Sequence, residues 1–177
     1  MDRLFLIGYM GSGKSTIGKQ LAKDLQMQFV DTDTYIENRF LKSISQLFKE
    51  KGESRFREIE HNALLEIAGF DNTVVSTGGG LPCFFDNMQR MNDNGTTVYL
   101  KTPEKVLLER LWVNKYNRPL LYNKTKAEIA TFISENLPIR ESFYLQAHLV
   151  FDTGRFPENA PINKLAEEIR KELVVSG

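Results

Sequence analysis

The apolar residues of this chain fall into two patterns that alternate along its length. Short continuous runs rich in branched residues are typical of strands buried on both faces of a parallel sheet. These runs predict five strands, at Leu4–Ile7, Phe29–Asp31, Thr73–Ser76, Thr97–Leu100 and Leu149–Asp152. Between the runs, apolar residues recur every three or four positions, which predicts amphipathic helices.

Capping and breaking residues mark where these helices begin and end. Ser43 and Thr125 are each followed three residues later by Gln or Glu, which is the capping-box pattern of a helix N-terminus. We expect the first box to open a helix over Ile44–Lys51, and Gly52 to end it. Further helices are predicted after Lys14, from Phe56 to Ile67, after Thr102-Pro103 and after Pro161.

Strand and helix alternate through the whole chain, which predicts an α/β fold in three layers. We expect a five-stranded parallel sheet with helices on both faces, in a single domain that covers residues 1–177. One connection, residues 111–124, is long and polar and has no sustained apolar period. Because such a connection in a compact domain is usually functional, we interpret residues 111–124 as a mobile lid.

The charge balance argues against some classes of function. The chain has 23 Lys and Arg residues against 23 Asp and Glu residues, so its formal net charge is zero. Proteins that bind nucleic acid through their overall field are strongly positive. No run approaches the ~18 apolar residues of a membrane span, and the single cysteine, Cys83, has no thiol partner for a disulfide or a metal site. We therefore expect a cytoplasmic protein with no nucleic-acid or membrane partner.

A glycine-rich segment, Gly8-Tyr-Met-Gly-Ser-Gly-Lys-Ser15, lies between the first predicted strand and the first predicted helix. In that context, Gly-x4-Gly-Lys-Ser is the pattern of a loop whose backbone N–H groups cradle phosphates. Lys14 would reach the β- and γ-phosphates of a nucleotide, and Ser15 would bind Mg²⁺. The guanine-reading pattern Asn-Lys-x-Asp is incomplete, because Asn123-Lys-Thr-Lys126 ends in lysine, which argues against a guanine-nucleotide switch.

Two carboxylates, Asp31 and Asp33, follow the second predicted strand. Ligands of open α/β sheets bind at the carboxyl ends of the strands, so we expect both side chains beside the phosphate loop. One carboxylate would bind Mg²⁺ through water, and the other would accept the proton or the hydrogen bond of an attacking hydroxyl. The alternative for Asp33 is that it only caps a helix beginning near Thr34.

Three arginines and a glycine run complete the candidate residues. Taken alone, Arg57 is explained by an ion pair with Glu53 or Glu60 on an exposed helix face. Arg140 is equally unremarkable alone, and Arg118 could simply belong to a polar loop. The run Gly78–Gly80 is different, because three consecutive glycines after a buried strand are costly in chain entropy. This run indicates that a ligand or another backbone comes very close.

Together, six motifs resemble the shikimate kinase family in their order and approximate spacing. They are Gly-x4-Gly-Lys-Ser, Asp-x-Asp, Phe-Arg-x-x-Glu from Phe56, Gly-Gly-Gly, Arg-Pro-Leu-Leu from Arg118, and Arg-x-x-x-Tyr from Arg140 to Tyr144. The resemblance extends from Leu4 to the last helix. One departure is the stretch Asn38-Arg-Phe-Leu-Lys42, which lacks a glycine that many relatives have there; it concerns helix geometry and no chemical group.

The resemblance implies a P-loop NTPase-like fold and transfer of the γ-phosphoryl group of ATP, with Mg²⁺, to the 3-hydroxyl group of shikimate. It implies catalytic roles for Lys14, Asp33 and Arg118, and metal binding by Ser15 and Asp31. It implies a substrate-binding region at about residues 33–61. The residues that would bind shikimate are Asp33, Arg57, Gly78, Gly79, Gly80 and Arg140. It implies ATP contacts from Gly11, Ser12, Gly13, Lys14, Ser15, Thr16, Arg110, Arg118 and Arg155.

Two other functions stay open at this point. One is another P-loop small-molecule kinase, for gluconate or a nucleoside monophosphate. The other is a nucleotide-binding regulatory module that phosphorylates no metabolite, although such a module needs neither the acidic pair nor the paired arginines. We expect a monomer that uses ATP and shikimate in the pathway to chorismate and the aromatic amino acids, as the resemblance implies.

Overall fold

A parallel β-sheet forms the centre of the computed structural model, which describes residues 3–115 and 121–176. Its strands are β1 (Arg3–Ile7), β2 (Gln28–Asp31), β3 (Thr73–Ser76), β4 (Thr96–Lys101) and β5 (Leu149–Asp152). They lie in the order β2-β3-β1-β4-β5, and every neighbouring pair is parallel. The predicted five-stranded α/β fold is therefore confirmed, and the phosphate loop leaves the central strand.

Seven α-helices occur in the described residues. They are α1 (Lys14–Leu25), α2 (Thr32–Phe40), α3 (Ile44–Ile67), α4 (Asn87–Asn94), α5 (Glu104–Val113), α6 (Lys126–Tyr144) and α7 (Ile162–Ser176). Both predicted capping boxes are present, and α3 is interrupted at Gly52, whose φ of 73° and ψ of 171° are not helical. Over the described ranges, none of these helices combines the length and the apolar content that a membrane crossing requires.

The sheet has a hydrophobic core on each face, so the molecule has three layers. Phe5 and Ile7 of β1 pack with apolar residues of α3, α4, α5 and α6. Leu4 and Leu6, which point to the opposite face, pack with α1 and α7. All four side chains are fully buried, as the two-residue period of a strand requires when both faces are covered.

The structure corrects two expectations about the strands and helices. β2 has no buried residue and β5 buries only Phe151, because these are the edge strands. The continuous burial expected of all five strands therefore holds only for the central three. Helix α4 was not predicted, because its eight residues present only two buried apolar side chains, Met88 and Met91.

The first three residues of the segment predicted as a lid are helical. Residues 111–113 are the last turn of α5, and Leu111 is fully buried. A lid over the rest of residues 111–124 stays a prediction. Residues 116–120, which include Arg118, lie outside the described residues.

A smaller third core joins α2 to α3 and consists of Ile36, Leu47, Phe56 and Ala63. α2 ends at Phe40 and is followed by its C-cap residue Leu41, whose φ of 52° lies in the left-handed region. Glycine is the usual residue at such a helix C-terminus, because a Cβ atom is disfavoured there. Within the stretch that lacks a glycine, Leu41 is thus the residue whose conformation favours one, and its side chain is 89% exposed.

Candidate active site

The phosphate loop turns between β1 and α1 in the way its glycines allow. Gly8, Gly11 and Gly13 all have positive φ, at 142°, 84° and 93°. Gly13 is the N-cap of α1, so the first N–H groups of that helix open toward the loop. The loop thus combines backbone donors with the positive end of a helix, an arrangement that favours anions.

Lys14 is buried inside this loop, with 7% of its surface exposed. Its Nζ donates hydrogen bonds to the carbonyl oxygens of Gly8, at 2.8 Å, and Tyr9, at 2.9 Å. A buried ammonium group needs such acceptors. The positive charge is therefore held at the centre of the loop by backbone oxygens of the loop itself.

Ser15 and Asp31 form the polar edge of the loop. The Ser15 hydroxyl donates to Asp31 Oδ2 at 2.6 Å, while Asp31 Oδ1 accepts the N–H groups of Asp33 and Thr34 at 3.1 and 3.3 Å. Asp31 is thus the N-cap of α2. The helix cap that was the alternative for Asp33 is made by Asp31 instead, so capping does not explain Asp33.

Two cavities of about 530 Å³ each open beside these residues. The first, called here the phosphate-loop cavity, is lined by the consecutive residues 10–17 together with Asp31 and Arg110. The second, called the arginine cavity, is lined by Arg57, Glu60 and Arg140 among others. Among the described residues, four line both cavities: Met10, Asp33, Gly78 and Gly79. The two cavities therefore meet at a common wall.

Arg57 is the most firmly held cation of the arginine cavity. Its guanidinium donates to Glu60 Oε2 at 2.6 Å and to Glu53 Oε1 at 3.1 Å, and its carbon lies 4.3 Å from the centre of the Phe84 ring. Only 11% of the side chain is exposed, and Nε has no hydrogen-bond partner among the described residues. The pair with Glu60 is therefore buried, whereas Glu53 is an exposed partner, and the guanidinium lines a cavity.

Glu60 is a residue of this cavity that sequence reasoning treated only as a pairing partner. It is 3% exposed, and burial raises its pKa to about 7, against the opposing effect of the Arg57 guanidinium and with a further rise from Asp33. Its spacing of three residues from Arg57 was the available signal. That signal does not reveal burial, which depends on how α3 packs.

The charged side chains of the site leave no room for a Cβ atom at Gly78 or Gly80. A Cβ atom on Gly78 would lie 2.8 Å from Asp33 Oδ1 and 3.1 Å from Glu60 Oε1. A Cβ atom on Gly80 would lie 2.6 Å from Arg57 Nη1. Close approach was expected from the sequence, and here the approaching groups are the charged side chains of the site.

Helix α6 brings Arg140 and Tyr144 to the same place. Arg140 lines the arginine cavity, and its guanidinium carbon lies 5.3 Å from the centre of the Tyr9 ring. One turn later, the buried Tyr144 hydroxyl donates a hydrogen bond to the carbonyl oxygen of Gly79. The Arg-x-x-x-Tyr spacing thus places two side chains on one helix face.

Some of the remaining residues predicted to contact ATP line the phosphate-loop cavity, and others do not. Thr16 lines the phosphate-loop cavity, as does Arg110, which donates to the Gly11 carbonyl at 3.2 Å. Arg155 does not line this cavity in the described part of the chain, because its guanidinium donates to Glu172 at 2.7 Å and lies over Phe151. Thr153 lines the cavity from the same turn and was not predicted. Arg118 lies outside the described residues.

Comparisons with known proteins agree with one another. A family model for shikimate kinase matches residues 10–173. The shikimate kinase of Phocaeicola vulgatus is 49% identical over 173 residues, which cover 98% of this chain and 99% of that protein. The crystal structure of shikimate kinase from Bacteroides thetaiotaomicron has a TM-score of 0.92 at 45% identity and 97% coverage of both chains. The shikimate kinase of Acinetobacter baumannii in complex with shikimate has a TM-score of 0.88 at 31% identity, covering 99% of this chain and 94% of that one.

Proposed function

This chain belongs to the shikimate kinase family, and we propose that it transfers the γ-phosphoryl group of ATP to the 3-hydroxyl group of shikimate, giving shikimate 3-phosphate. The observation that carries the proposal is the common wall of the two cavities. A phosphoryl group transfers directly between two substrates only if their sites adjoin. Here a phosphate-binding loop and a cavity with two arginines adjoin at Asp33.

The phosphate-loop cavity suits the triphosphate of ATP. The loop N–H groups would bind phosphate oxygens, and Lys14 would exchange its carbonyl partners for the β- and γ-phosphates. Thr16 and Arg110 line the same cavity and are assigned here to ATP, as is Arg118. Arg155 is assigned to ATP as well, and it would have to leave Glu172 to reach the nucleotide.

Mg²⁺ fits the oxygen donors beside this cavity. Ser15 Oγ and Asp31 Oδ2, 2.6 Å apart, are a hydroxyl and a carboxylate, which are ligand types that Mg²⁺ prefers. We assign these two side chains to the metal, Asp31 directly or through water. When bound, Mg²⁺ neutralises charge on the phosphates.

The arginine cavity suits a small carboxylic acid with several hydroxyl groups. Arg57 and Arg140 would bind the carboxylate, because a planar guanidinium can donate to both oxygens. Asp33 would accept a hydrogen bond from the attacking hydroxyl and take its proton at a carboxylate oxygen. Catalysis then consists mainly of positioning, with Lys14 and Arg118 stabilising charge on the transferred group.

The organisation of the chain is part of the proposal. We assign residues 33–61, together with the glycine run and Arg140, to shikimate, and residues beyond Val113 up to 124 to a lid that excludes water. We assign a monomer as the working unit. We assign the enzyme to the cytoplasm, and sedimentation of the active protein measures its oligomeric state.

A coupled assay of ADP release tests the function. We expect turnover to depend on shikimate, and Asp33→Asn to lose at least about 100-fold in kcat, while Asp93→Asn, an exposed carboxylate on α4, keeps the wild-type rate. Turnover with gluconate or AMP and none with shikimate would identify a different small-molecule kinase. ATP binding with no turnover on any of the three acceptors would identify a regulatory module.

A further inference from the structure

Three tyrosines are buried together behind the arginine cavity, and their hydroxyl groups differ in hydrogen bonding: that of Tyr9 has no partner among the described residues. Tyr9, Tyr99 and Tyr144 are each no more than 2% exposed, and the rings of Tyr99 and Tyr144 lie 5.1 Å apart. The Tyr99 hydroxyl donates to Glu141 at 3.0 Å. The Tyr144 hydroxyl alone of the three is bonded to backbone of the site, at the Gly79 carbonyl oxygen.

That carbonyl belongs to the middle peptide of a β-turn. The N–H of Leu81 donates to the carbonyl of Gly78 at 3.1 Å, so Gly79 and Gly80 are the two central residues of the turn. Gly80 has φ −88° and ψ −23°, which are type I values. Types I and II differ by a flip of the middle peptide, and type II needs a residue at the second central position that accepts positive φ. With glycine there, both states are open to the chain.

The flip decides which way the Gly80 N–H points. The peptide is trans, so its N–H lies opposite the Gly79 carbonyl oxygen and turns away from Tyr144. Gly80 forms part of the wall of the arginine cavity and does not line the phosphate-loop cavity. A flipped peptide would instead present a carbonyl oxygen to an anionic ligand in the arginine cavity.

Helix α6 links this turn to Arg140. A Cβ atom on Gly79 would lie 3.7 Å from Arg140 Nη1, and Arg140 and Tyr144 are one helical turn apart. Burial raises the pKa of the Tyr144 hydroxyl far above its usual range, so the hydroxyl keeps the proton it donates. The hydroxyl therefore stays a donor further into the alkaline range than an exposed tyrosine does.

We propose that Tyr144 is a positioning residue, whose hydroxyl holds the Gly79–Gly80 peptide in the type I state so that the Gly80 N–H faces the acceptor in the arginine cavity. The proposal rests on the proposed function, since shikimate is the anionic acceptor that this N–H would meet. It assigns a role to the tyrosine of the Arg-x-x-x-Tyr motif that the chemistry of transfer leaves unused.

The test compares Tyr144→Phe with Tyr99→Phe, which removes an equally buried hydroxyl from the neighbouring ring. For Tyr144→Phe we expect the KM and the Kd for shikimate to rise about tenfold, as for one lost hydrogen bond, with the KM for ATP unchanged. Tyr99→Phe should leave both constants unchanged. In amide relaxation-dispersion spectra, Tyr144→Phe should show new exchange at Gly79 and Gly80, because the middle peptide is free to flip.

Three results would overturn the proposal. The first is an unchanged shikimate KM in Tyr144→Phe, and the second is an equal rise in both variants, which would indicate general loosening of the core. The third is a Tyr144→Phe chain that does not fold, which would make the hydroxyl part of the fold and not of the site. If the wild type itself does not use shikimate, the proposed function has failed, which is a separate outcome.

Discussion

The two cavities are built in different ways. The phosphate-loop cavity owes the longest continuous part of its wall to residues 10–17, a single stretch whose working groups are backbone N–H groups and one lysine. The arginine cavity is assembled from α2, α3, the glycine turn and α6, and its working groups are charged side chains together with backbone of the glycine turn. Backbone groups need only the right turn, whereas charged side chains in a cavity must be braced by other side chains.

Arg57 shows how other side chains support a charged group in the arginine cavity. Two carboxylates and an aromatic ring hold its guanidinium, so removing any one of them changes the others. On the other side, Lys14 is held by carbonyl oxygens that no substitution can remove. We therefore expect ATP binding and transfer to be lost only when Lys14 or another group that contacts ATP is substituted. Shikimate binding, in contrast, should weaken by different amounts when different residues around Arg57 are substituted.

Lys14→Ala should have the largest effect. We expect kcat to fall at least about 1000-fold, because the charge next to the transferred group is lost, while the Kd for shikimate stays unchanged. Calorimetric titration of shikimate and the coupled assay measure the two quantities. Lys19→Ala, an exposed lysine of the same helix, is the matched control. A weaker shikimate affinity in Lys14→Ala would show that the two cavities are not built independently.

Arg57→Ala should come next, with an effect on the acceptor side. We expect the KM for shikimate to rise about 100-fold, while the KM for ATP does not change. The substitution removes the guanidinium that would bind the ligand, and it also leaves the buried Glu60 without its ion-pair partner. Arg55→Ala is the matched control, since Arg55 forms the same type of pair with Glu58 one turn away but is exposed. An unchanged shikimate KM in Arg57→Ala would refute the carboxylate assignment.

Glu60→Gln should change how stability depends on pH. The pKa of Glu60 is about 7 in the folded protein against an ordinary value of 4.5, so between these values the folded state holds a proton that the unfolded chain has lost. Stability from this group is therefore greatest at low pH and falls as the pH rises, by about 1.4 kcal/mol per pH unit within the window. We expect Glu60→Gln to remove this slope in urea unfolding at pH 5 to 7.

Glu58→Gln, at a partly exposed carboxylate of the same helix, serves as the control, and its unfolding profile should keep the wild-type slope. An identical slope in Glu60→Gln and in the wild type would place the ionisation elsewhere. Such a result would also weaken the contrast between the two cavities, because the buried Glu60 carboxylate is the clearest example of a side chain that supports the arginine cavity.

Leu41→Gly should have the smallest effect, and outside both cavities. We expect the free energy of unfolding to rise by about 1 kcal/mol, because glycine accepts the left-handed conformation at the end of α2. Leu41→Ala keeps the Cβ atom and removes only the exposed side chain, so its stability should not rise in the same urea titration. An equal gain in both variants would assign the effect to the lost apolar surface.

What the sequence could predict follows the same division. The phosphate loop is local, and its glycines, lysine and serine lie where the pattern placed them. The two capping boxes and the break at Gly52 are local as well, and both are confirmed. Local turns and caps depend on a few neighbouring residues, which a single sequence displays in full.

The acceptor side could be predicted only in part. The pairing of Arg57 was visible, but its burial and that of Glu60 depend on how α3 packs against the glycine turn. The capping role fell to Asp31, because α2 begins two residues earlier than expected. Arg155 is drawn to Glu172 of α7, a residue that no spacing rule connects with it. Contacts between distant segments set these outcomes.

The common wall at Met10, Asp33, Gly78 and Gly79 has a consequence for inhibitors. A compound that joins a phosphate chain to a carboxylated ring by a short linker would pass from one cavity to the other without crossing bulk water. Once one end is bound, the other end searches at an effective concentration on the order of millimolar. Its affinity should then respond to substitutions on both sides, to Lys14→Ala at one end and to Arg57→Ala at the other.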